Sequence, residues 1–397
     1  MHPTVIAVGL VSFFTDLSSE IIYPLLPLFL TGPLAAGAAF VGLVEGIAES
    51  TASLLKLWSG RLSDRLGHRK ALIVAGYGLS SCARPAISLA AAPVHVLLLR
   101  FVDRIGKGVR TAPRDALIAA VTPREELGRA YGFHRGMDHL GAVLGPLVAA
   151  LLLGPAGLSL RTVFALAAVP AALAMAVAIF GVADAAKPEP PAAAPAHALP
   201  STPAAEKPLT ASFKWLLVAV VVFALANSSD AFLLLRATHL GVPSEQVPLL
   251  WSLLHVIKSA LAMPAGRLAD RLGKRRLIAG GWVLYALVYA ALAAASAAWH
   301  VWLLFAVYGV FFALTEGAER ALVAELAPGG RAGSAFGLYH LSIGIAALPA
   351  SLLAGVLWDQ FGAAWALGLG AALALTALIP LALSGRTREL DAAKATC

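Results

Sequence analysis

The stretch Gly60-Arg-Leu-Ser-Asp-Arg-Leu-Gly-His-Arg-Lys-Ala-Leu72 lies between two long apolar segments. A close copy, Gly266-Arg-Leu-Ala-Asp-Arg-Leu-Gly-Lys-Arg-Arg-Leu-Ile278, follows about half a chain later. Fixed charges and helix-breaking glycines between membrane-length apolar segments predict a tight loop at a membrane face. Two such copies predict that the chain consists of two similar halves.

The composition indicates a membrane protein. Of the 397 residues, 59% are hydrophobic and 13% are charged, whereas soluble domains carry about 25% charged residues. Apolar runs of about 20 residues recur, and each is long enough to cross about 30 Å of hydrocarbon. We therefore predict an all-α polytopic membrane protein with twelve transmembrane helices in two pseudo-symmetric bundles of six.

The predicted spans follow one another at regular spacing. They run near Val5–Leu30, Ala39–Trp58, Lys70–Ala92, Val94–Ala120, Gly128–Leu153, Arg161–Ala183, Lys214–Leu235, Val247–Met263, Leu277–Ala295, Val301–Glu325, Ser334–Trp358 and Ala364–Leu383. The corresponding units are a first bundle (1–183), a flexible Pro/Ala-rich linker (184–211), a second bundle (212–385) and a tail (386–397).

The positive charge predicts an orientation rather than nucleic-acid binding. The net charge is +8, and much of the excess lies in alternate short loops, as at Arg65, Lys70, Arg271 and Arg276. Short loops rich in Lys and Arg stay in the cytoplasm. We expect a bacterial inner-membrane protein with both termini cytoplasmic, bound to lipid and not to nucleic acid. The two cysteines offer no metal-ligand spacing, and no cofactor is expected.

Ionisable residues inside predicted spans are the candidate site residues, because charge in a bilayer is unfavourable and is retained for function. Span 1 carries Asp16 and Glu20, and span 2 carries Glu45 and Glu49, each pair four residues apart and so on one helix face. Asp230 in span 7 occupies the place of Glu20 in the second half.

Span 4 has a charged stripe that cannot face lipid. It consists of Arg100, Asp103, Arg104, Lys107, Arg110, Arg114 and Asp115. The stripe must line a water-filled cavity or pack against the acidic faces of spans 1 and 2. Span 5 adds Arg135 and Asp138. Acids and bases in this half are nearly balanced, so most should pair, while Asp16, Glu20 and Asp230 have serine neighbours and are the best candidates to titrate during transport.

Three motifs resemble those of the major facilitator superfamily. The repeated Gly-x-Leu-x-Asp-Arg-x-Gly pattern is similar to its signature loop. Leu99–Gly108 is similar to its span 4 motif, which places Arg100 at a position linked to proton coupling in drug-efflux members, although Asp103 and Arg104 depart from the usual residues. Gly141-x-x-x-Gly145-Pro146 resembles its antiporter motif, which implies export.

The resemblance also implies gates. Asp64 and Arg65, with Asp270 and Arg271, would hold the two halves together on the cytoplasmic side when the transporter is open outward, through weak and reversible ion pairs. The candidate gating residues are Gly60, Asp64, Arg65, Gly67, Arg69, Gly266, Asp270, Arg271, Gly273 and Arg275.

Several functions can be considered for a membrane protein of this kind. The first is proton-coupled export of a small polar, charged or zwitterionic molecule by rocker-switch alternating access, carried out by a monomer. The alternative is transport of an organic anion, siderophore or metal complex that contacts the cationic stripe of span 4. A non-transporting receptor or scaffold would need a soluble signalling domain, and an enzyme would need a nucleophile pair or metal cluster that the sequence does not show.

Overall fold

The computed structural model describes residues 1–66, 69–123, 126–184, 209–327 and 332–385, and the regular elements in these ranges are helical. The helices are α1 (Pro3–Ile22), α2 (Leu26–Thr31), α3 (Ala38–Leu66), α4 (Arg69–Ala86), α5 (Pro93–Val121), α6 (Leu127–Leu153), α7 (Leu160–Leu166), α8 (Ala168–Phe180), α9 (Ala211–Ala226), α10 (Ala231–His239), α11 (Val247–Leu272), α12 (Lys274–Ala294), α13 (Ala298–Glu325), α14 (Ala332–Phe361) and α15 (Ala363–Thr376).

The prediction of an all-α membrane protein is confirmed. Eleven helical segments in the described ranges are long and apolar enough to cross a membrane. Three of them join two helices into one span: α1 with α2, α7 with α8, and α9 with α10. Helix α5 is the predicted span 4 and is equally long, but its charged stripe makes it more polar than the other eleven.

The helix order places alternate connections at two faces of the bundle. We call the face where α1 begins and α3 ends the terminal face, and the other the opposite face. At the terminal face Val5, Ile73, Leu117 and Val182 pack into one apolar cluster. A larger cluster runs through the rest of the molecule and joins helices of the first six and the last six spans.

The signature stretches are mostly helical, which corrects the prediction of tight loops. Gly60 lies within α3 and Gly266 within α11, and the turn of the second copy is confined to Gly273. A single glycine disfavours a helix by only about 1 kcal/mol, so the long apolar helices extend through it. Gly273 has φ +90°, which only glycine adopts readily, and there the helix ends. Gly67 lies outside the described residues.

The two ends of the predicted linker are held by helix caps. The Asp184 carboxylate accepts hydrogen bonds from the backbone N–H groups of Arg69 (3.0 Å) and Lys70 (2.7 Å) at the start of α4. Thr210 Oγ1 accepts one from the Phe213 N–H at the start of α9. The remainder of the linker, 185–208, and the tail, 386–397, lie outside the described residues, so the predicted division into domains stays a prediction.

Candidate functional site: a cavity between the two halves

A cavity of about 560 Å³ lies between the first six and the last six spans. The first half contributes polar side chains to its wall: Tyr23, Glu45, Glu49, Ser53, Lys56 and Lys107. The second half contributes an aromatic wall with embedded charges: Phe223, Trp251, Trp282, Phe311, Phe312, Tyr339, Asp230, Lys258, Glu316, Glu319 and Arg320. The two sides of the cavity therefore differ in chemistry.

Helices α3 and α14 close the cavity on the side of the opposite face. The Asp359 carboxylate of α14 accepts hydrogen bonds from the first N–H groups of α3. Closer to the centre, Ser50 Oγ donates to the Gly344 carbonyl at 2.6 Å. Gly42 and Gly46 on α3 lie directly against the α14 backbone and would clash with it if they carried a Cβ. The two halves thus meet along most of these two helices.

Solvent reaches the cavity from the terminal face. Its lining residues reach into the terminal half of α3, α13 and α14, whereas those of α11, such as Trp251 and Lys258, lie in the half nearer the opposite face. Arg320 and Glu316, near the terminal end of α13, keep 43% and 33% of their side chains exposed. The ion pairs of the cavity walls, Arg100 with Glu45 and Glu316 with Lys258 and Arg320, each join residues of the same half. The structure is thus closed at the opposite face and open at the terminal face.

Two carboxyl groups of the aromatic wall have only neutral donors as partners. Asp230 accepts a hydrogen bond from the Tyr308 hydroxyl at 2.7 Å. Glu319 accepts one from Trp282 Nε1 at 3.1 Å and one from the Tyr339 hydroxyl at 2.8 Å. No cation pairs with either of them in the described ranges. These two acids are placed to take up a proton or to contact a cationic group.

The other charges of the second half form a triad. Glu316 pairs with Lys258 at 2.7 Å and with Arg320 at 2.8 Å, one oxygen to each cation. Lys258 also lies over the ring of Phe312, 4.8 Å from its centre. Nearby, both ring nitrogens of His255 are buried without a hydrogen-bond partner in the described structure. Asp230 and Glu319 are thus the acids of this wall that have no ion pair to any described residue.

The span 1 acids lie behind the cavity wall. Glu20 accepts a hydrogen bond from Trp251 Nε1 of the second half at 2.7 Å, and Trp251 is the side chain that lines the cavity. The carboxylate of Asp16 has no hydrogen bond or ion pair to any residue that the structure describes. Trp251 therefore lies between Glu20 and the cavity.

The antiporter-like glycines pack against those same acids. A Cβ at Gly141 would lie 3.0 Å from the Asp16 Cβ, and one at Gly145 would lie 2.7 Å from the Glu20 Cβ. Pro146 follows inside α6. Small residues four apart let two helices approach closely, so the motif brings α6 onto α1 at the level of the two carboxyl groups.

The span 2 acids differ from each other. Glu45 is buried and accepts two hydrogen bonds from Arg100, at 3.0 and 3.1 Å, which is the two-point geometry of a strong ion pair. Glu49 is exposed to the cavity and accepts a long hydrogen bond from Ser53 at 3.5 Å. Glu45 is thus held in an ion pair, whereas Glu49 has none with a described residue.

The charged stripe of span 4 does not form one surface. Only Lys107 lines the cavity. Asp103 lies deep in the first half, surrounded by Arg84 of α4 at 2.8 Å, Arg100 at 3.5 Å and Arg104 at 3.8 Å. Arg110 donates to Ser80 at 2.6 Å and lies over the ring of Tyr77. These groups hold α4 and α5 together and do not line a path for an anion.

A second polar network lies between α1, α5 and α6. Arg114 pairs with Asp115 at 2.9 Å and donates to Ser12, which bonds His134. Asp138 lies 3.6 Å from His134 Nδ1 and forms an ion pair with Arg135 at 3.7 Å. This network is internal to the first half.

The gating residues lie at the terminal face. Asp270 and Arg271 are exposed there, while Arg275 bonds Ser212 and Ser384 within the second half. The side chains of Asp64 and Arg65 lie outside the described part of the chain. A contact between the two signature stretches therefore stays a prediction.

The sequence reasoning missed four features of the site. Arg84 was not recognised, although it is the only charge within the predicted span 3 after Lys70. Lys56 and Glu319 lie inside predicted spans but are absent from the candidate site residues. The aromatic wall had no sequence signal, because its members come from five helices far apart in the chain.

Comparisons with known proteins agree with this architecture. The profile of the Major Facilitator Superfamily matches residues 8–257 and 231–395. An uncharacterized MFS-type transporter of Methanocaldococcus jannaschii is 31% identical over 364 residues, covering 90% of this chain and 89% of that protein. The multidrug resistance protein MdtH of Yersinia enterocolitica is 29% identical over 133 residues, 34% of this chain and 33% of that protein.

A solved structure shares the fold at low sequence identity. The crystal structure of the POT family transporter PepTSo superimposes with a TM-score of 0.79 and 13% identity, covering 98% of this chain and 99% of that one. Together with the helical architecture, these similarities describe a membrane transporter.

Proposed function

Because the chain belongs to the major facilitator superfamily, whose members are transporters and not enzymes, we propose that it exports a small polar or charged molecule in exchange for protons. One observation carries this proposal: the cavity between the two halves is closed at the opposite face and open at the terminal face. If the two halves moved as rigid bodies so that the terminal face closed and the opposite face opened, the cavity would gain alternating access to the two sides of the membrane.

The direction of transport follows from the orientation that we propose. If Lys- and Arg-rich loops lie in the cytoplasm, the terminal face is cytoplasmic and the cavity is open to the cell interior. The resemblance of Gly141-x-x-x-Gly145-Pro146 to an antiporter motif and the similarity to a multidrug resistance protein support export. An impermeant thiol reagent applied to intact cells should fail to label Cys397 in a Cys82→Ser background and should label it after the cells are broken.

Proton coupling is supported by the acids that have no cationic partner. A carboxyl group held by an ion pair stays ionised, whereas one that contacts only neutral donors or lies close to another acid is free to change its charge. Glu20, bonded to Trp251, and Asp230, bonded to Tyr308, meet that condition. Glu20 lies at the contact between the two halves, where a change of charge affects how the halves pack.

The proposal is tested in liposomes that contain the purified protein and a trapped pH dye. L-phenylalanine, 2-phenylethylamine and 3-phenylpropionate are added one at a time without an imposed gradient. Movement of protons driven by a probe is expected, and Glu20→Gln or Asp230→Asn should abolish it. Glu245→Gln, at an exposed acid in the loop before α11, is the control. Flux of a labelled probe with no proton signal would overturn proton coupling.

A further inference from the structure

The two sides of the cavity carry excess charge of opposite sign when each ion pair within the protein is counted as neutral. On the side of the first half, Glu45 is neutralised by Arg100. Lys56 and Lys107 line the cavity, and neither side-chain nitrogen has an ion pair or hydrogen bond to any residue in the described ranges. Glu49 is a single acid beside these two lysines, so this side keeps an excess of positive charge.

On the side of the second half, the excess is negative. Lys258 and Arg320 share Glu316 and leave a surplus of one positive charge. Asp230 and Glu319 carry two potential negative charges, and their bonded partners are Tyr308, Tyr339 and Trp282, all neutral donors. A buried charge without an opposite partner is unfavourable, so these acids favour a positively charged group from outside the protein.

The aromatic wall surrounds the negative side. Phe223 stacks on Trp282 with ring centres 4.4 Å apart and planes 5° apart, and Phe311 lies against Phe223 at 5.9 Å. Trp282 is also a donor to Glu319, so an acid and an aromatic face meet at one place. Aromatic faces attract organic cations and stack on planar apolar groups. Lysine ammonium groups, in contrast, bind carboxylates and phosphates.

We propose that the substrate is a zwitterion with a planar apolar body, and this inference rests on the proposed transport function. Its anionic group contacts Lys56 and Lys107 of the first half. Its cationic group contacts Asp230 and Glu319 of the second half, and its apolar body lies on Phe223 and Trp282. Such a molecule pairs with the lysines on one side of the cavity and with the acids on the other. A simple cation or anion pairs with one side and leaves the charges of the other without partners.

A zwitterion also links the two halves of the transporter. Its anionic group contacts the first half and its cationic group contacts the second half. A bound molecule therefore attracts the two halves toward each other across the cavity. A molecule with one charge is attracted to one wall. The arrangement therefore selects substrates by the separation of their charges as well as by their sign.

Binding is tested with probes that share a phenyl ring and differ in charge. They are the zwitterions L-phenylalanine and 4-(2-aminoethyl)benzoate, the cation 2-phenylethylamine and the anion 3-phenylpropionate. Affinity is measured by quenching of the tryptophan fluorescence of the protein, to which Trp251 and Trp282 of the cavity wall contribute. At least one zwitterion should bind ten-fold or more tightly than both single-charge probes. Zwitterions that bind no better than those probes, or do not bind, overturn the proposal.

Two double variants assign each charge to its wall. Lys56→Gln with Lys107→Gln should weaken the zwitterion and the anion about ten-fold and leave the cation unchanged. Asp230→Asn with Glu319→Gln should weaken the zwitterion and the cation and leave the anion unchanged. Equal effects of both variants on every probe would contradict the assignment. Lys107→Arg and Glu319→Asp, which keep the charges, should retain binding and show that the folded protein tolerates changes at these positions.

The binding assay uses no gradient, so its result does not depend on proton coupling. If the zwitterion binds as expected but no proton moves in the liposome experiment, proton coupling fails and the present inference stands. If protons move with 2-phenylethylamine alone, and Glu20→Gln abolishes that movement, the transport proposal stands and the zwitterion proposal fails.

Discussion

The carboxylate of Asp359 caps helix α3 by accepting a hydrogen bond from the backbone N–H of Ala38 at 2.8 Å. Its second oxygen accepts one from Ala39, also at 2.8 Å. The first N–H groups of a helix have no partner within that helix, and here an acid from the other half of the molecule supplies it. Asp359 is exposed at the opposite face. These two bonds are therefore a latch that holds the cavity closed on that side.

Replacing this acid should favour opening of the opposite face. Loss of a helix cap is worth about 1 kcal/mol, which is about a fivefold change in the ratio of the two states. The reporter is Asn227→Cys in the cavity wall, in a background with Cys82→Ser and Cys397→Ser. An impermeant maleimide applied from the opposite face should label Asp359→Ala faster than the parent.

The matched control for the latch is Glu245→Ala, an exposed acid in the loop before α11. It should leave the labelling rate unchanged. An equal increase in both variants, or none in Asp359→Ala, would show that the capping bonds do not control closure.

Arg84 should be needed for stability. Its side chain is only 6% exposed. It donates hydrogen bonds to the buried Asp103 carboxylate at 2.8 Å and to the Thr15 carbonyl at 2.9 Å, and these bonds join α4 to α5 and α1. Removing one partner of a buried ion pair destabilises a protein by about 3–5 kcal/mol. Arg84→Met should therefore lower the unfolding temperature in detergent by many degrees.

Arg135→Gln is the comparison for Arg84. Arg135 also pairs with an acid, Asp138, but its side chain is 52% exposed. An exposed pair contributes at most about 1 kcal/mol, so this variant should unfold near the parent temperature. Similar losses in the two variants would contradict the role assigned to burial.

Gly145 should resist substitution, because its helix contacts α1 without space for a side chain. A Cβ there would lie 2.7 Å from the Glu20 Cβ and 2.9 Å from the Leu17 carbonyl. Overpacking of this kind is unfavourable by about 1–3 kcal/mol. Gly145→Ala should lower thermal stability. Gly136→Ala, at a position of the same helix with nothing within 4 Å, should be neutral or slightly stabilising, and the opposite order would refute the contact.

Gly273 should be required for the turn between α11 and α12. Its φ of +90° with ψ of 136° is strained for any residue with a Cβ, and such strain is worth about 1–3 kcal/mol. Gly273→Ala should lower the unfolding temperature. Gly280→Ala, inside α12 with open space around it, should not. If both variants unfold at the parent temperature, the turn does not need glycine.

The sequence by itself determined the class, the number of spans and the family. Membrane-length apolar runs can only be helices, because unpaired backbone groups are too unfavourable in hydrocarbon. The repeated signature stretch indicated two halves. The same reasoning selected Glu20, Glu45 and Asp230, since charge within such a helix stands out from its apolar neighbours. It placed the turns wrongly at Gly60 and Gly266, because a long helix tolerates a single glycine.

The tertiary structure decided which charges are free and which are paired. Arg100 and Lys107 lie two turns apart on one helix face, yet Arg100 is bound by Glu45 and Lys107 faces the cavity. The spacing along one helix gives the direction of a side chain but not the residue opposite it, which comes from a distant helix. The aromatic wall and the Asp359 cap also depend on tertiary packing, because each consists of residues that are far apart in the chain.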